Sequence, residues 1–166
     1  MLDRRKSEAA RFADFADDGD LVICDEVGQD VEDIADLVAN VERHGLLDKV
    51  GIDPAGIGGI LDGLIGAGIS ADKIVGISQG WRLGGAIKTA ERKLAEGKLW
   101  HGGTMLMDWC VGNAKVEPRG NAILITKQAS GYAKIDPLMA TFNAVSLMAL
   151  NPESISYDFI YEPLIG

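Results

Sequence analysis

Long apolar runs are missing from this sequence of 166 residues. No stretch approaches the roughly 20 uninterrupted apolar residues that a membrane-spanning helix needs, so no bilayer span is expected. Cysteine is scarce as well. The two thiols, Cys24 and Cys110, sit in apolar surroundings without metal-ligand spacing, which excludes a disulfide framework and a cysteine zinc site. They read as buried, reduced thiols of a cytosolic protein. The opening stretch, MLDRRKSEAARFADF, lacks the apolar core of a secretion signal. Basic residues are few: 16 Lys and Arg stand against 25 Asp and Glu. A chain that grips nucleic acid unaided normally presents clustered cations, so this one should hold DNA weakly by itself at physiological salt.

What is present points to one α/β domain. At 166 residues and 47% hydrophobic content the chain can bury a single core. We expect a domain over residues 1–150 and an extension over 151–166. The charge is uneven: residues 1–72 hold 17 acidic and 6 basic side chains, whereas residues 73–166 hold 8 and 10. The acid surplus therefore belongs to the first part.

The pattern along the chain alternates between strand and helix. A short helix is expected through Ala9–Ala16, then a strand at Leu21–Cys24 bounded by Asp18-Gly-Asp20 and Gly28. Asp30 with Asp33 offers a cap, and Val31, Ile34, Leu37, Val38 and Val41 recur at helical spacing up to His44-Gly45. Lys49–Asp53 reads as a buried strand followed by a Pro-Ala-Gly turn and a helix carrying Ile57, Ile60, Leu61, Leu64 and Ile65. Lys73–Ile77 repeats the strand and Leu83–Glu96 the helix, closed by Gly97. Such alternation predicts a largely parallel sheet. Further on, Thr104–Asn113 suits a helix. Ala114–Val116 with Ala122–Thr126 suits a hairpin around Pro118-Arg-Gly120, and an apolar helix begins near Ile135.

Two carboxylates stand where a polar residue serves packing poorly. Asp53 ends a buried strand, and ligands of open α/β sheets bind at C-terminal strand ends. Asp136 begins an apolar helix. Each also has a purely structural reading, because Asp53-Pro54 suits an Asx turn and Asp136-Pro137 an acid beside a proline in the first helical turn. Other candidates carry less. The Gly56–Gly59 turn before a helix suggests a phosphate cradle of a small-nucleotide module, but it lacks the dinucleotide fingerprint spacing. His44 and His101 have no second ligand at metal spacing and read as structural. Trp81, Trp100 and Trp109 suit base stacking or packing.

Several blocks in order carry a resemblance. Gly51-Ile-Asp53-Pro-Ala-Gly56, Gln79-Gly80, the run from Lys88 through Glu91 and Gly97 to His101-Gly-Gly103, Trp109–Asn113, and Lys134-Ile-Asp136-Pro-Leu-Met-Ala140 together resemble the nuclease domain of tailed-phage terminase large subunits. The resemblance spans about Leu21 to Leu150. It implies a ribonuclease H-like mixed sheet with flanking helices, and an acidic site drawn from the first strand, the fourth strand and a late helix. Asp53 matches the fourth-strand acid and Asp136 the late-helix acid, with Lys134 a candidate phosphate contact. It also implies Mg²⁺ or Mn²⁺, because hydrolysis by two divalent ions about 3.5–4 Å apart needs hard oxygen ligands.

The implied partners are double-stranded DNA, the terminase motor domain, the small terminase subunit and the portal, in the host cytoplasm and away from any membrane. The family's first strand, with its acid and hairpin, would precede Leu21, where 20 residues of helical character stand. Asp14, Asp17, Asp18 and Asp20 there read as a solvated acidic face. The motor domain's phosphate loop, G-x-x-x-x-G-K-[ST], does not occur. The expectation is thus an endonuclease domain cutting concatemeric DNA whose metal site lacks its first acid. The alternative is a catalytically incompetent prophage remnant that acts through protein contacts.

Overall fold

The computed structural model describes residues 8–55, 58–127 and 133–153. Six α-helices and four strands follow in the order α1 (Ala9–Asp17), α2 (Gln29–Arg43), β1 (Val50–Ile52), α3 (Gly58–Gly66), β2 (Ile74–Gly76), α4 (Gly84–Ala95), α5 (Met105–Gly112), β3 (Ala114–Arg119), β4 (Ala122–Lys127) and α6 (Asp136–Met148). The fold is mixed α/β, compatible with a ribonuclease H-like nuclease domain with flanking helices. No described helix is long and apolar enough to cross a membrane.

β1 and β2 pair in parallel, with Val50 opposite Ile74, Gly51 opposite Val75 and Ile52 opposite Gly76. Successive side chains of a strand point to opposite faces, and this pair uses both. Val50 and Ile74 pack into a cluster with Ala39 of α2, Leu64 of α3 and Ile69. Val75 and Ile77 turn the other way, toward Leu83, Ile87, Ala90, Phe142 and Val145 beneath α4 and α6. The pair is therefore a seam between two helical layers.

Two glycines let those layers approach. A Cβ on Gly63 would come within 2.8 Å of Val31, so α3 can lie this close to α2 only with hydrogen at that position. A Cβ on Gly51 would meet Ile77 and Leu147 at 3.1 Å each, which brings α6 directly onto β1.

The sheet differs from expectation in two ways. Leu21–Cys24 is not a strand: no neighbouring strand pairs with it, and Val22 is 71% exposed. A β-prone run becomes a strand only where its amides find a ladder partner. Among the described residues, the strands also form two separate two-stranded sheets rather than one mixed sheet.

β3 and β4 make the second sheet as an antiparallel hairpin. It is longer than expected, since β3 continues through Pro118, opposite Ile123, and the turn is Gly120-Asn121. Proline is tolerated there because the outer strand of a hairpin leaves amides unpaired anyway. Gly120 has φ +59°, as a two-residue turn with glycine first requires.

The helices follow their local signals closely. α2 begins one residue before Asp30, after Gly28 at φ +95°, so Asp30 and Glu32 lie in its first turn, where acids favour the helix dipole. Ala35 and Ala39 bury its inner face, whereas Ile34 and Leu37 remain 45% and 52% exposed. Thr104 caps α5, its hydroxyl accepting from the Met107 amide at 3.3 Å. α1 docks on α5 through Phe12 and Phe15, whose ring centroids lie 5.8 and 5.7 Å from that of Trp109. Residues 151–153 carry no regular element. The remainder of the expected 151–166 extension lies outside the described residues.

Candidate functional site

The C-terminal ends of β1 and β2 meet the late helix. Leu147 touches β1 mid-strand at Gly51. One turn earlier, Asn143 accepts a hydrogen bond through Oδ1 from Gln79 Nε2 at 3.0 Å, beyond the end of β2. The Asn143 carbonyl also lies 3.4 Å from where a Cβ on Gly51 would stand, so α6 crosses β1 between these two turns and reaches Gln79 through the Asn143 side chain. Asp136 lies seven residues before Asn143, about 10 Å further along the axis. Alternation from Gly51, which faces α6, directs Asp53 to the same side of the pair. Asp53 thus follows the end of β1, and Asp136 opens the helix that packs on that strand.

Local bonds occupy part of each acid. Asp53 Oδ1 accepts from the Ala55 amide at 2.9 Å, the Asx turn that Asp53-Pro54 suggested, which leaves Oδ2 without that constraint. Asp136 is the first residue of α6, its side chain 66% exposed and its Oδ2 3.6 Å from Lys134 Nζ. Lys134 is held from behind, since its carbonyl accepts from Asn113 Nδ2 at 3.0 Å. Lys134 and Asp136 are therefore brought together. No hydrogen bond joins Asp53 to Asp136 among the described residues.

Buried Cys110 of α5 is close enough to feel the Asp136 charge. Burial first, and that carboxylate second, push its thiol above the usual cysteine range. The thiol is a packed, protonated side chain, as its apolar setting suggested. Cys24 is also raised, by partial desolvation and then by Asp33, Asp30 and Asp25. Neither behaves as an activated nucleophile.

Carboxylate oxygens such as those of Asp53 and Asp136 suit a hard cation. Among the described residues, no group of three or more His, Cys, Asp or Glu side chains is arranged to hold a metal. Asp14, Asp17 and Asp18 lie on α1 or at its C-terminus, and the Asp20 carboxylate accepts from the Leu106 amide at 3.3 Å. Through that bond the acidic stretch anchors α1 to α5.

Remaining candidates resolve into packing. His44 bonds through Nδ1 to the Asn40 carbonyl at 2.8 Å, and His101 Nδ1 accepts from the Gly103 amide at 3.1 Å within its glycine turn. Gly58 and Gly59 lie in the first turn of α3, while Gly56 and Ile57 fall outside the described residues. The three tryptophans diverge: Trp109 is packed on α1, whereas Trp81 and Trp100 are exposed.

Sequence reasoning missed Asn143. It is the polar side chain buried in the core among the described residues, 7% exposed, and it ties α6 to the Gln79 amide, which also donates to the Ile77 carbonyl at 2.9 Å. The available signal was a carboxamide set between Phe142 and Val145 in an otherwise apolar helix. A buried amide in such a setting needs a partner.

The chain is a mixed α/β domain in which one acid follows the end of β1 and a second opens the late helix packed on that strand. Comparison with protein families matches residues 2–151 to the terminase large subunit endonuclease domain, and the chain belongs to that family. Neither curated protein sequences nor solved structures gave a match.

Proposed function

We propose that the chain is a metal-dependent DNA endonuclease domain that cuts concatemeric DNA during genome packaging, with Asp53 and Asp136 as its working carboxylates. The observation that carries this reading is family membership, supported by an acid that follows β1 and another that opens the late helix packed on it. Asp53 and Asp136 would hold Mg²⁺ or Mn²⁺, which supplies activation of water and charge stabilisation at the phosphate.

The chain's own residues orient the site. The Ala55 amide fixes the Asp53 carboxyl plane, so that Oδ2 is presented without a rotamer search. Lys134 offsets the charge of Asp136 and offers an ammonium for a phosphate oxygen. The Gln79–Asn143 bond fixes the height of α6 over the strand ends, and with it the reach of Asp136. A net charge of −9 opposes tight DNA binding, so the motor domain, small subunit and portal would deliver the substrate in the host cytoplasm.

A second reading, a protein-contact module without cleavage, draws on the Ala55–Asp53 bond and the Lys134–Asp136 pair, which already engage both acids. Nicking of supercoiled plasmid in Mn²⁺ separates the two. The wild type should nick, and Asp53→Ala and Asp136→Ala should each slow it on the order of 100-fold or more. Equal nicking by all three proteins would sink the proposed site, and none by the wild type would favour the second reading.

A further inference from the structure

The hairpin and the segment after β2 enclose a second feature that the acids do not use. Gly80, at φ +70°, turns the chain just past Gln79, and Trp81 follows with 63% of its surface exposed. Beside it lies a cleft of about 470 Å³ lined by Gly80, Trp81, Arg119, Ala122 and Leu124. That volume falls within the span of about 300–1,000 Å³ common for small-ligand sites. The Arg82 guanidinium stands 5.3 Å from the Trp81 ring centroid, and Arg119 closes the cleft from the end of β3. Neither arginine is in an ion pair among the described residues. On the hairpin Lys115 lies 3.3 Å from Glu117, which also accepts from the Thr126 hydroxyl and which Arg119 helps hold, more weakly, below the usual carboxylate range.

An exposed indole costs solvation, and the two guanidinium groups beside it, one of them over the ring itself, repel any cationic ligand. The combination suits a planar π-system carrying an anion, and a nucleotide is that chemistry. A base inside a duplex has both faces stacked already, so the ligand must be unpaired. Placement adds the connection to cleavage. The Ile77 amide donates to the Ile52 carbonyl at 2.8 Å, directly before Asp53, and four residues of chain keep Trp81 within about 14 Å of Ile77.

We propose that the Trp81–Arg119 cleft captures an unpaired DNA base next to the strand-end acids, so that the domain engages frayed or single-stranded ends in preference to intact duplex. The identity of the polymer as DNA rests on the nuclease reading above; the stacking site does not need the acids. Trp81 supplies the stacking face, and Arg82 and Arg119 hold the flanking phosphates.

The test is fluorescence anisotropy of the full chain with a labelled 20-base-pair duplex, blunt or carrying a three-thymine overhang, in EDTA and low salt. The overhang should bind about tenfold tighter. Trp81→Ala should erase that preference and Trp81→Phe should keep most of it, with both variants melting like the wild type. Arg119→Ala should weaken the overhang duplex and leave the blunt one near its wild-type affinity, because its phosphate contact flanks the captured base. Equal binding of the two duplexes by the wild type, binding of neither, or an unchanged preference in Trp81→Ala would overturn the proposal. Asp53→Ala should keep the overhang preference while losing nicking in Mn²⁺. A wild type that prefers the overhang yet never nicks would defeat the nuclease reading and leave the base site standing.

Discussion

Among the described residues, seven buried side chains form the cluster beneath α4 and α6, whereas three form the one between α2 and α3. The larger cluster belongs entirely to the part of the chain with a small basic surplus, and it holds the late helix, the hairpin and the Asn143–Gln79 bond. The smaller belongs to the acid-rich part. One region is built to fix groups in place. The other is a thin layer held to it through the parallel strand pair and through Lys73, whose ammonium donates to both Glu42 oxygens at 2.8 and 2.7 Å and to the Leu47 carbonyl at 3.0 Å. The inequality teaches that Asp53, though it lies in the acid-rich part of the chain, is positioned by the other region, because Gly51 and Ile52 are packed and bonded from that side.

The sharpest way to break this comparison is truncation in each core. Phe142→Ala should cost about 4 kcal/mol and Leu64→Ala about 3 kcal/mol in urea unfolding. Trp109 is packed against Phe12 and Phe15, so indole fluorescence reads the docking of α1 on α5 while far-ultraviolet dichroism reads the whole fold. The two probes should give coincident midpoints in each variant if the layers unfold together. Separate midpoints in Leu64→Ala would show the thin layer melting alone.

Smaller effects sharpen the link between the layers. Asn143→Ala should cost about 2 kcal/mol, since it leaves a part-buried Gln79 amide with one partner fewer. Lys73→Ala should cost about 1 kcal/mol, because the pair is only part-buried. A larger loss at Lys73 than at Asn143 would reverse the assignment of which contact matters more.

The smallest effect is one of pH. Asp72 is held below its ordinary value of 3.8, first by the Ser70 hydroxyl donating to it and then, more weakly, by Lys49 and Lys73. A carboxyl depressed in the folded state contributes stability above its unfolded value, and that contribution disappears as pH falls through the folded one. The melting temperature of Asp72→Asn should therefore decline less steeply than the wild type on acidification below pH 3.8. Parallel acid limbs would remove Asp72 from the account.

Much of this arrangement was legible in the residues, and what failed did so for identifiable reasons. Lys49–Asp53 and Lys73–Ile77 declared themselves as strands because each is a short apolar run closed by a turn, and Gly97 ended α4 as a helix-ending glycine does. Leu21–Cys24 has the same composition without a neighbour, and pairing is a property that composition does not encode. The stripe on α2 was read too wide: Val31 and Val38 face α3, but the burial is done by Ala35 and Ala39, which a search for large apolar residues passes over. Asp53 and Asp136 were visible as misplaced polar residues. Asn143 was not, because its partner Gln79 lies 64 residues away.

The hydrogen on Gly51 has a consequence for dimension. Ile77 and Leu147 stand 3.1 Å from where a methyl group would be, so the gap between strand and late helix is set by the smallest side chain available. Gly51 is a spacer of zero width. Each increment of bulk there would act as a shim, lifting α6 from β1 and widening the distance between a carboxylate anchored on the strand and one anchored on the helix. Alanine and then valine at this position offer a graded adjustment of the separation between Asp53 and Asp136 that alters neither acid.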